Sequence, residues 1–99
     1  MNKQEAKDLL NEVVTSHKDM SYTKLKVWVD SKKVESLHLK GRSGQEYQLE
    51  LQAFWDDKKA GTIRFMGSIN VDGAAWRSIF RLSLTDDFII RPDGSFVTE

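Results

Sequence analysis

Two pairs of adjacent aspartates are the residues of this sequence whose spacing most resembles an acid–base or cation site. Asp56 and Asp57 follow one predicted strand, and Asp86 and Asp87 lie at the end of another. Paired carboxylates can hold a divalent cation or share a proton. Adjacent loop residues usually point apart, however, and acidic turn residues are commonly solvated. The second pair still leaves one hypothesis open. It is a small hydrolase or ligand-binding protein with an acidic site at the strand ends that uses Asp86, Asp87 and Arg77.

The two histidines, His17 and His38, are the other candidates for a general base. Neither has a partner at metal-ligand spacing, and the chain contains no HExxH motif and no cysteine. Glycine-rich phosphate loops of the GxGxxG or GxxxxGK[ST] type are also missing. We predict no metal site and no cofactor and assign no catalytic residue, so the sequence favours a non-enzymatic role without settling it.

Aromatic and arginine residues on one face of a predicted sheet form the best candidate for a binding surface. Phe54 projects from the polar face beside Arg64, and two tryptophans lie at strand ends. Tryptophan and arginine are enriched at protein interfaces. A solvated sheet with a cation–π contact between Arg64 and Phe54 is the open alternative. The candidate binding residues are Trp55, Arg64, Trp76, Arg77, Asp86 and Asp87.

The charge balance argues against polyanionic partners. Fifteen basic residues cancel fifteen acidic ones, so no global field gathers nucleic acid or an anionic membrane. A small cluster of lysines around the second predicted helix is typical of a solubilising surface. The lack of cysteine, of a signal-peptide pattern and of any run of about 18 apolar residues predicts a cytoplasmic protein with no membrane contact.

Two amphipathic helices are predicted at the N-terminus, over about 4–18 and 21–32. Apolar residues recur at helical spacing from Ala6 to His17. Ser21 is placed to cap the second helix. Leu25, Val27 and Val29 also alternate as a strand would, but a strand would put Trp28 on the opposite face.

A long hairpin over 47–71 is the strongest pattern in the chain. Apolar residues occupy alternate positions in both halves, and polar residues fill the others. The register that keeps the apolar sets together pairs Trp55 with Ile63, Ala53 with Phe65, Leu51 with Gly67, Leu49 with Ile69 and Tyr47 with Val71. Small residues then lie beside large ones.

With the two strands of this hairpin included, strands are predicted at about 34–39, 46–55, 63–71, 76–84, 88–90 and 95–97. In this reading Phe80 lies beside Gly67, whose missing side chain makes room for the ring. Thr85, Asp86 and Asp87 break the pattern, and a turn at Arg91–Gly94 closes the last hairpin.

These elements predict one domain over 1–99 with an α+β fold. The hairpin alone buries too little apolar surface to offset the entropy of ordering it. The N-terminal helices supply the missing cover. The expected architecture is a two-layer sandwich, with the helices packed on one face of a mostly antiparallel meander sheet.

The runs YQLELQAFWDD, GSINVDGAAWR and LTDDFIIRPDGSFV together resemble a family of small bacterial proteins of unassigned function, over roughly residues 21–99. The family favours Gly-Gly before the tryptophan, where this chain has Ala74 and Ala75. The resemblance implies a small α+β domain and brings no activity, cofactor or site residue.

The sequence therefore predicts a small bacterial cytoplasmic protein-interaction module. Its partner is expected to be another protein, or a second copy of the chain, bound through the polar sheet face or an open sheet edge. An immunity function beside a toxin is one form that such a module could take.

Overall fold

The computed structural model describes residues 3–57, 61–71 and 84–97, without the side chain of Asp57. Its elements are α1 (Lys3–Ser16), a 3-10 turn (His17–Asp19), α2 (Tyr22–Ser31), β1 (Val34–Lys40), β2 (Glu46–Asp57), β3 (Thr62–Val71), β4 (Leu84–Ile90) and β5 (Phe96–Val97). The five described strands form one antiparallel sheet in the order β1-β2-β3-β4-β5. Both helices contact the sheet, so the predicted α+β arrangement is confirmed.

The helices form where the apolar spacing predicts them. α1 buries Ala6, Leu10 and Val14, which lie four residues apart on one stripe. In α2 the Ser21 side chain accepts a hydrogen bond from the backbone N–H of Lys24 at 3.2 Å, which is the expected N-cap. The last residue of this helix is Ser31, and the C-cap residue Lys32 has a left-handed backbone conformation with a φ of 54°. The first helix tightens to a 3-10 turn at His17 instead of continuing to residue 18.

The central hairpin has the predicted register. All five apolar pairs between β2 and β3 are present, from Tyr47 opposite Val71 to Trp55 opposite Ile63. The sheet face that carries them is covered by α1 and α2, and we call it the helix-covered face. The opposite surface, which carries Gln48, Glu50 and Gln52, is called the polar face.

Gly67 has a different role from the predicted one. Its neighbours across the sheet are Leu51 and Asp86, so the expected pairing with Phe80 is wrong. A Cβ at this position would lie 2.8 Å from Val14 Cγ2 and 3.0 Å from Leu10 Cδ1. The missing side chain therefore lets α1 approach the sheet closely, rather than making room for a ring.

β4 corrects the predicted strands near the C-terminus. It runs without a break from Leu84 to Ile90, so the expected interruption at 85–87 is wrong. The strand tolerates two acidic residues because alternation directs them to opposite faces, where each finds a hydrogen-bond donor. The predicted strand over 76–84 lies outside the described residues, apart from Leu84.

The turn between β1 and β2 is tied to α1 by Glu5. The carboxylate accepts hydrogen bonds from the Ser43 backbone N–H (3.0 Å) and hydroxyl (2.7 Å), and from the buried Tyr47 hydroxyl (2.9 Å). The bonds from Ser43 lower the pKa of Glu5 below its ordinary value of 4.5. One side chain thus joins the start of the first helix to the first hairpin.

The turn between β4 and β5 forms over Arg91–Gly94, as predicted. The Gly94 N–H donates to the Arg91 carbonyl at 2.9 Å, and the glycine has a φ of 89°. Asp93 accepts from the Ser95 backbone N–H at 2.8 Å and from its hydroxyl at 2.6 Å. These bonds lower the pKa of Asp93 below its ordinary value of 3.8.

Candidate functional site

Arg64 lies on the polar face and joins three strands. Its Nε donates to Asp56 Oδ1 at 2.9 Å, and its Nη1 donates to Asp87 Oδ2. The register shift between Trp55 and Asp57 marks a β-bulge, a feature that commonly re-aims a strand side chain. The hydrogen bond that Arg64 donates to Asp56, and after it the one donated to Asp87, raise the pKa of the already strongly basic guanidinium. Arg64 is therefore engaged within the sheet, where it links β2, β3 and β4.

The adjacent acids of β4 do not form a pair. Asp87 lies opposite Met66 on the polar face, where it binds Arg64. Asp86 lies opposite Gly67 on the helix-covered face, where its Oδ2 accepts from Asn11 Nδ2 at 3.1 Å. A sheet therefore separates the two carboxylates, and they cannot share a proton or one cation. The acidic hydrolase hypothesis also used Arg77, which lies outside the described residues, and it stays a prediction without a paired carboxylate site.

Asp86 borders a cavity of about 280 Å³ between α1 and β4, together with Gln4, Lys7, Asp8, Leu10, Asn11 and Thr85. Within residues 3–57, 61–71 and 84–97, no group of three or more His, Asp or Glu side chains is placed to hold a metal ion. The cavity therefore supplies a polar surface without a metal-ligating set.

The histidines are placed as structural residues. The His17 ring stacks on Phe65 with centroids 4.9 Å apart, and its Nδ1 lies 2.8 Å from the Val13 carbonyl oxygen. That carbonyl can only accept, so Nδ1 carries a proton. His38 projects from the polar face of β1, 4.0 Å from Glu46. Ser16 Oγ lies 3.3 Å from His17 Nδ1, but its hydroxyl donates to the Val13 carbonyl at 2.6 Å. Because Nδ1 already carries a proton, His17 is not placed to activate that hydroxyl.

The side chains of the polar face, which was predicted to be a recognition surface, differ widely in their exposure to solvent. Gln48, Glu50 and Gln52 are exposed, whereas Asn70 and Ile89 are buried on the same face. Trp76 and Arg77 lie outside the described residues. Of the six candidate binding residues, the structure brings together only Arg64 and Asp87, and it places Trp55 at one corner of the sheet.

That corner holds a groove that the sequence did not predict. β1 begins at Val34, opposite Gln52, but β2 continues to Asp57. The groove has a volume of about 550 Å³ and lies beside this extension of β2. We call it the corner groove; it is lined by Val29, Asp30, Lys32, Lys33, Val34, Gln52, Ala53, Phe54 and Trp55.

The corner groove combines exposed apolar side chains with two lysines. Val34 is 52% exposed and Phe54 is 36% exposed. Lys33 Nζ lies 4.5 Å from the centre of the Trp28 ring and 3.8 Å from Glu35. Lys32 makes no ion pair with any described residue. The signal that could have revealed the groove is the difference between the predicted strand lengths, six residues against ten, combined with Lys32-Lys33 just before the shorter strand.

The chain matches no protein-family model, no curated protein and no solved structure among known proteins. Its resemblance to small bacterial proteins of unassigned function therefore stays a prediction. No helix within the described ranges has the length and apolar character that crossing a bilayer requires.

Proposed function

We propose that this chain is a bacterial cytoplasmic protein-interaction module and that the corner groove is its binding site. The observation that carries the proposal is a groove at an unfinished sheet edge, lined by Val34 and Phe54 from the polar face and by Trp55 from the helix-covered face. Its volume falls within the range of about 300–1,000 Å³ that is common for ligand sites. Large exposed apolar side chains that share one concave surface favour a binding role.

The polar face supports a binding role less well. Its arginine is held by two aspartates, so contact with a partner would have to displace existing ion pairs. At the corner groove, Phe54 and Val34 are already in contact with solvent and would gain by burial. Burying a large apolar side chain contributes about 1.5–3 kcal/mol.

Photo-crosslinking tests the proposal. Phe54 is replaced by p-benzoyl-phenylalanine in the full chain, which is irradiated in a lysate of the cells that produce the protein. Phe96 is the matched control position, because it is 42% exposed and lies on β5 at the other edge of the sheet. We expect one crosslinked protein from position 54 and none from position 96. Equal labelling from both positions, or none from position 54, contradicts the proposal.

A further inference from the structure

The corner groove lies along a segment of β2 that pairs with a described strand on one side alone. Ala53, Phe54, Trp55 and Asp57 pair with β3, and Asp56 lies in the bulge between the last two. On the other side, β1 stops at Val34, and no strand within the described ranges takes its place. We call residues 53–57 the overhang. Five residues of a strand span about 17 Å, and the peptide groups on an unpaired side are ready to bond an added strand.

The overhang differs from the other open edge on this side of the sheet. β1 carries Glu35 on its helix-covered face, opposite Leu51, and ends at Lys40. An inward-pointing charge and an edge lysine are devices by which natural sheets prevent unwanted pairing. The overhang carries Ala53, Phe54 and Trp55 instead. The bulge after Trp55 and the acidic residue Asp56 lie at the far end of the overhang. β1 is thus protected against an added strand, and the apolar part of the overhang, residues 53–55, lacks such a device.

The groove is apolar on both faces of the sheet plane. Ala53 and Trp55 point toward the helix-covered face, where Val29 also lines the groove. Phe54 points toward the polar face, beside the exposed Val34. Successive residues of a strand face opposite sides. An added strand therefore needs two or three consecutive apolar residues, rather than an alternating pattern.

The start of β1 limits where an added strand can end. Val34 occupies the position beside Gln52, so a guest strand paired with the overhang must stop there. If the guest runs antiparallel to β2, its C-terminal end meets Val34; if it runs parallel, its N-terminal end does. Lys32 and Lys33 directly precede Val34 in the chain and line the groove together with one acid, Asp30. The two ammonium groups outnumber the one carboxylate, so this lining attracts a terminal carboxylate and repels an ammonium group, which favours the antiparallel orientation.

We propose that the corner groove binds the extended C-terminal tail of a partner protein, which adds a strand to the overhang and places its terminal carboxylate against Lys32 and Lys33. This inference rests on the proposed protein-binding function and specifies the partner's binding segment. Two or three apolar residues precede the carboxylate and fill the spaces beside Phe54 and Trp55.

The test begins with the full chain immobilised against a random peptide library displayed with free C-termini. We expect enrichment of tails that end in consecutive apolar residues. The most enriched tail is then synthesised twice, as the free acid and as the C-terminal amide, and binding is measured by fluorescence anisotropy. Loss of the carboxylate is expected to weaken binding about tenfold, the usual scale for one charge-assisted bond. Equal affinity of acid and amide, or no enriched tail, overturns the inference.

Two substitutions assign the interaction to the groove. Lys32→Gly removes the unpaired ammonium while relieving a left-handed backbone position, so the variant should fold at least as stably as the wild type. It should bind the acid several-fold more weakly and the amide unchanged. Phe54→Ala should weaken both peptides, and Phe96→Ala, its matched control, should weaken neither. Unchanged binding in Lys32→Gly and Phe54→Ala contradicts the groove as the site.

Other occupants give different results. If the overhang pairs with a second copy of the chain, sedimentation without peptide will show concentration-dependent dimers that Phe54→Ala abolishes, and the tail inference fails. If crosslinking from position 54 captures a partner through an internal segment, the proposed function stands and the tail inference fails. If position 54 captures nothing while the acid peptide binds, the tail inference is supported and the proposed cellular function is contradicted.

Discussion

The hairpin turns at residues 41–45 and 91–95 have the same internal geometry and different anchors. In residues 41–45, the N–H of the first residue donates to the carbonyl of the fifth, and the N–H of the fourth donates to the carbonyl of the first. Residues 91–95 repeat both bonds. The fourth residue of each turn is glycine, with a φ of 89° in both Gly44 and Gly94. In each turn a carboxylate accepts from the backbone N–H and hydroxyl of one serine.

The difference is where the carboxylate comes from. Asp93 binds Ser95 within its own turn, so that turn closes without help from the rest of the chain. Glu5 binds Ser43 from the first helix, 38 positions away in sequence. The same chemistry therefore shapes a local turn in one place and docks a helix in the other. Damage to the first turn should spread to α1, whereas damage to the second should stay local.

The largest expected change in the free energy of unfolding comes from replacing the turn glycines Gly44 and Gly94. Nothing lies within 4 Å of a Cβ built on Gly44 or Gly94, so alanine at either position strains only the backbone. We expect Gly94→Ala to reduce the free energy of unfolding by about 1 kcal/mol and Gly44→Ala by about 2 kcal/mol. The second loss is larger because distortion also moves Ser43 away from Glu5. Urea unfolding measures the free energy of unfolding of both variants. If Gly94→Ala lowers it as much as Gly44→Ala does, the two turns do not differ in how they are anchored.

A smaller effect is expected from Tyr47→Phe. The tyrosine is fully buried and its hydroxyl donates to Glu5. Among the described residues, the turn at 91–95 has no equivalent contact. Its loss should cost about 1 kcal/mol. Tyr22→Phe is the control, because it removes a hydroxyl bond to the Gly61 carbonyl far from this turn. The rate of amide hydrogen exchange in α1 should rise in Tyr47→Phe and stay unchanged in Tyr22→Phe. If the rate in α1 changes equally in both variants, Glu5 is not a specific anchor of the helix.

The smallest effect is the acid response of the two turns. The folded-state pKa of Glu5 is below 4.5 and that of Asp93 is below 3.8. A depressed carboxyl pKa contributes stability above the unfolded pKa, and this contribution is lost as the pH falls through the folded value. Between about pH 5 and about pH 3, Glu5→Gln and Asp93→Asn should each lose less stability than the wild type.

Acid should also distinguish the turns by location. Protonation of Glu5 should speed hydrogen exchange in the first turns of α1, and Glu5→Gln should show that fast exchange already at neutral pH. Asp93→Asn should change exchange only within 91–97. If α1 exchanges at the same rate in Glu5→Gln and in the wild type, Glu5 does not anchor the helix.

The sequence predicted the centre of the fold better than its C-terminal part. Alternation fixed the register of β2 and β3 because a shift by one residue would turn the apolar set toward water. β4 was predicted only over 88–90, because Asp86 and Asp87 read as a break in an apolar pattern. Their partners, Asn11 on a helix and Arg64 on a neighbouring strand, depend on tertiary contacts that no local pattern records.

The candidate site was predicted in part. Trp55 was predicted at the end of its strand, whereas β2 continues to Asp57 and Trp55 lines the corner groove with Phe54. Arg64 was placed on the correct face, but its two aspartate partners could not be assigned because one depends on a bulge and the other on the register of β4. The separation of Asp86 from Asp87 follows from strand alternation alone once both are known to lie in a strand.

The close approach of α1 to Gly67 has a consequence for synthesis on the ribosome. The helix is complete at Ser16, but the glycine that receives it is translated about 50 residues later. At about 5–20 residues per second, the nascent chain waits several seconds with the Leu10 and Val14 side chains uncovered. Of the described elements, α1 is translated before every strand of the sheet that covers it, so its apolar stripe is open to chaperones during that interval.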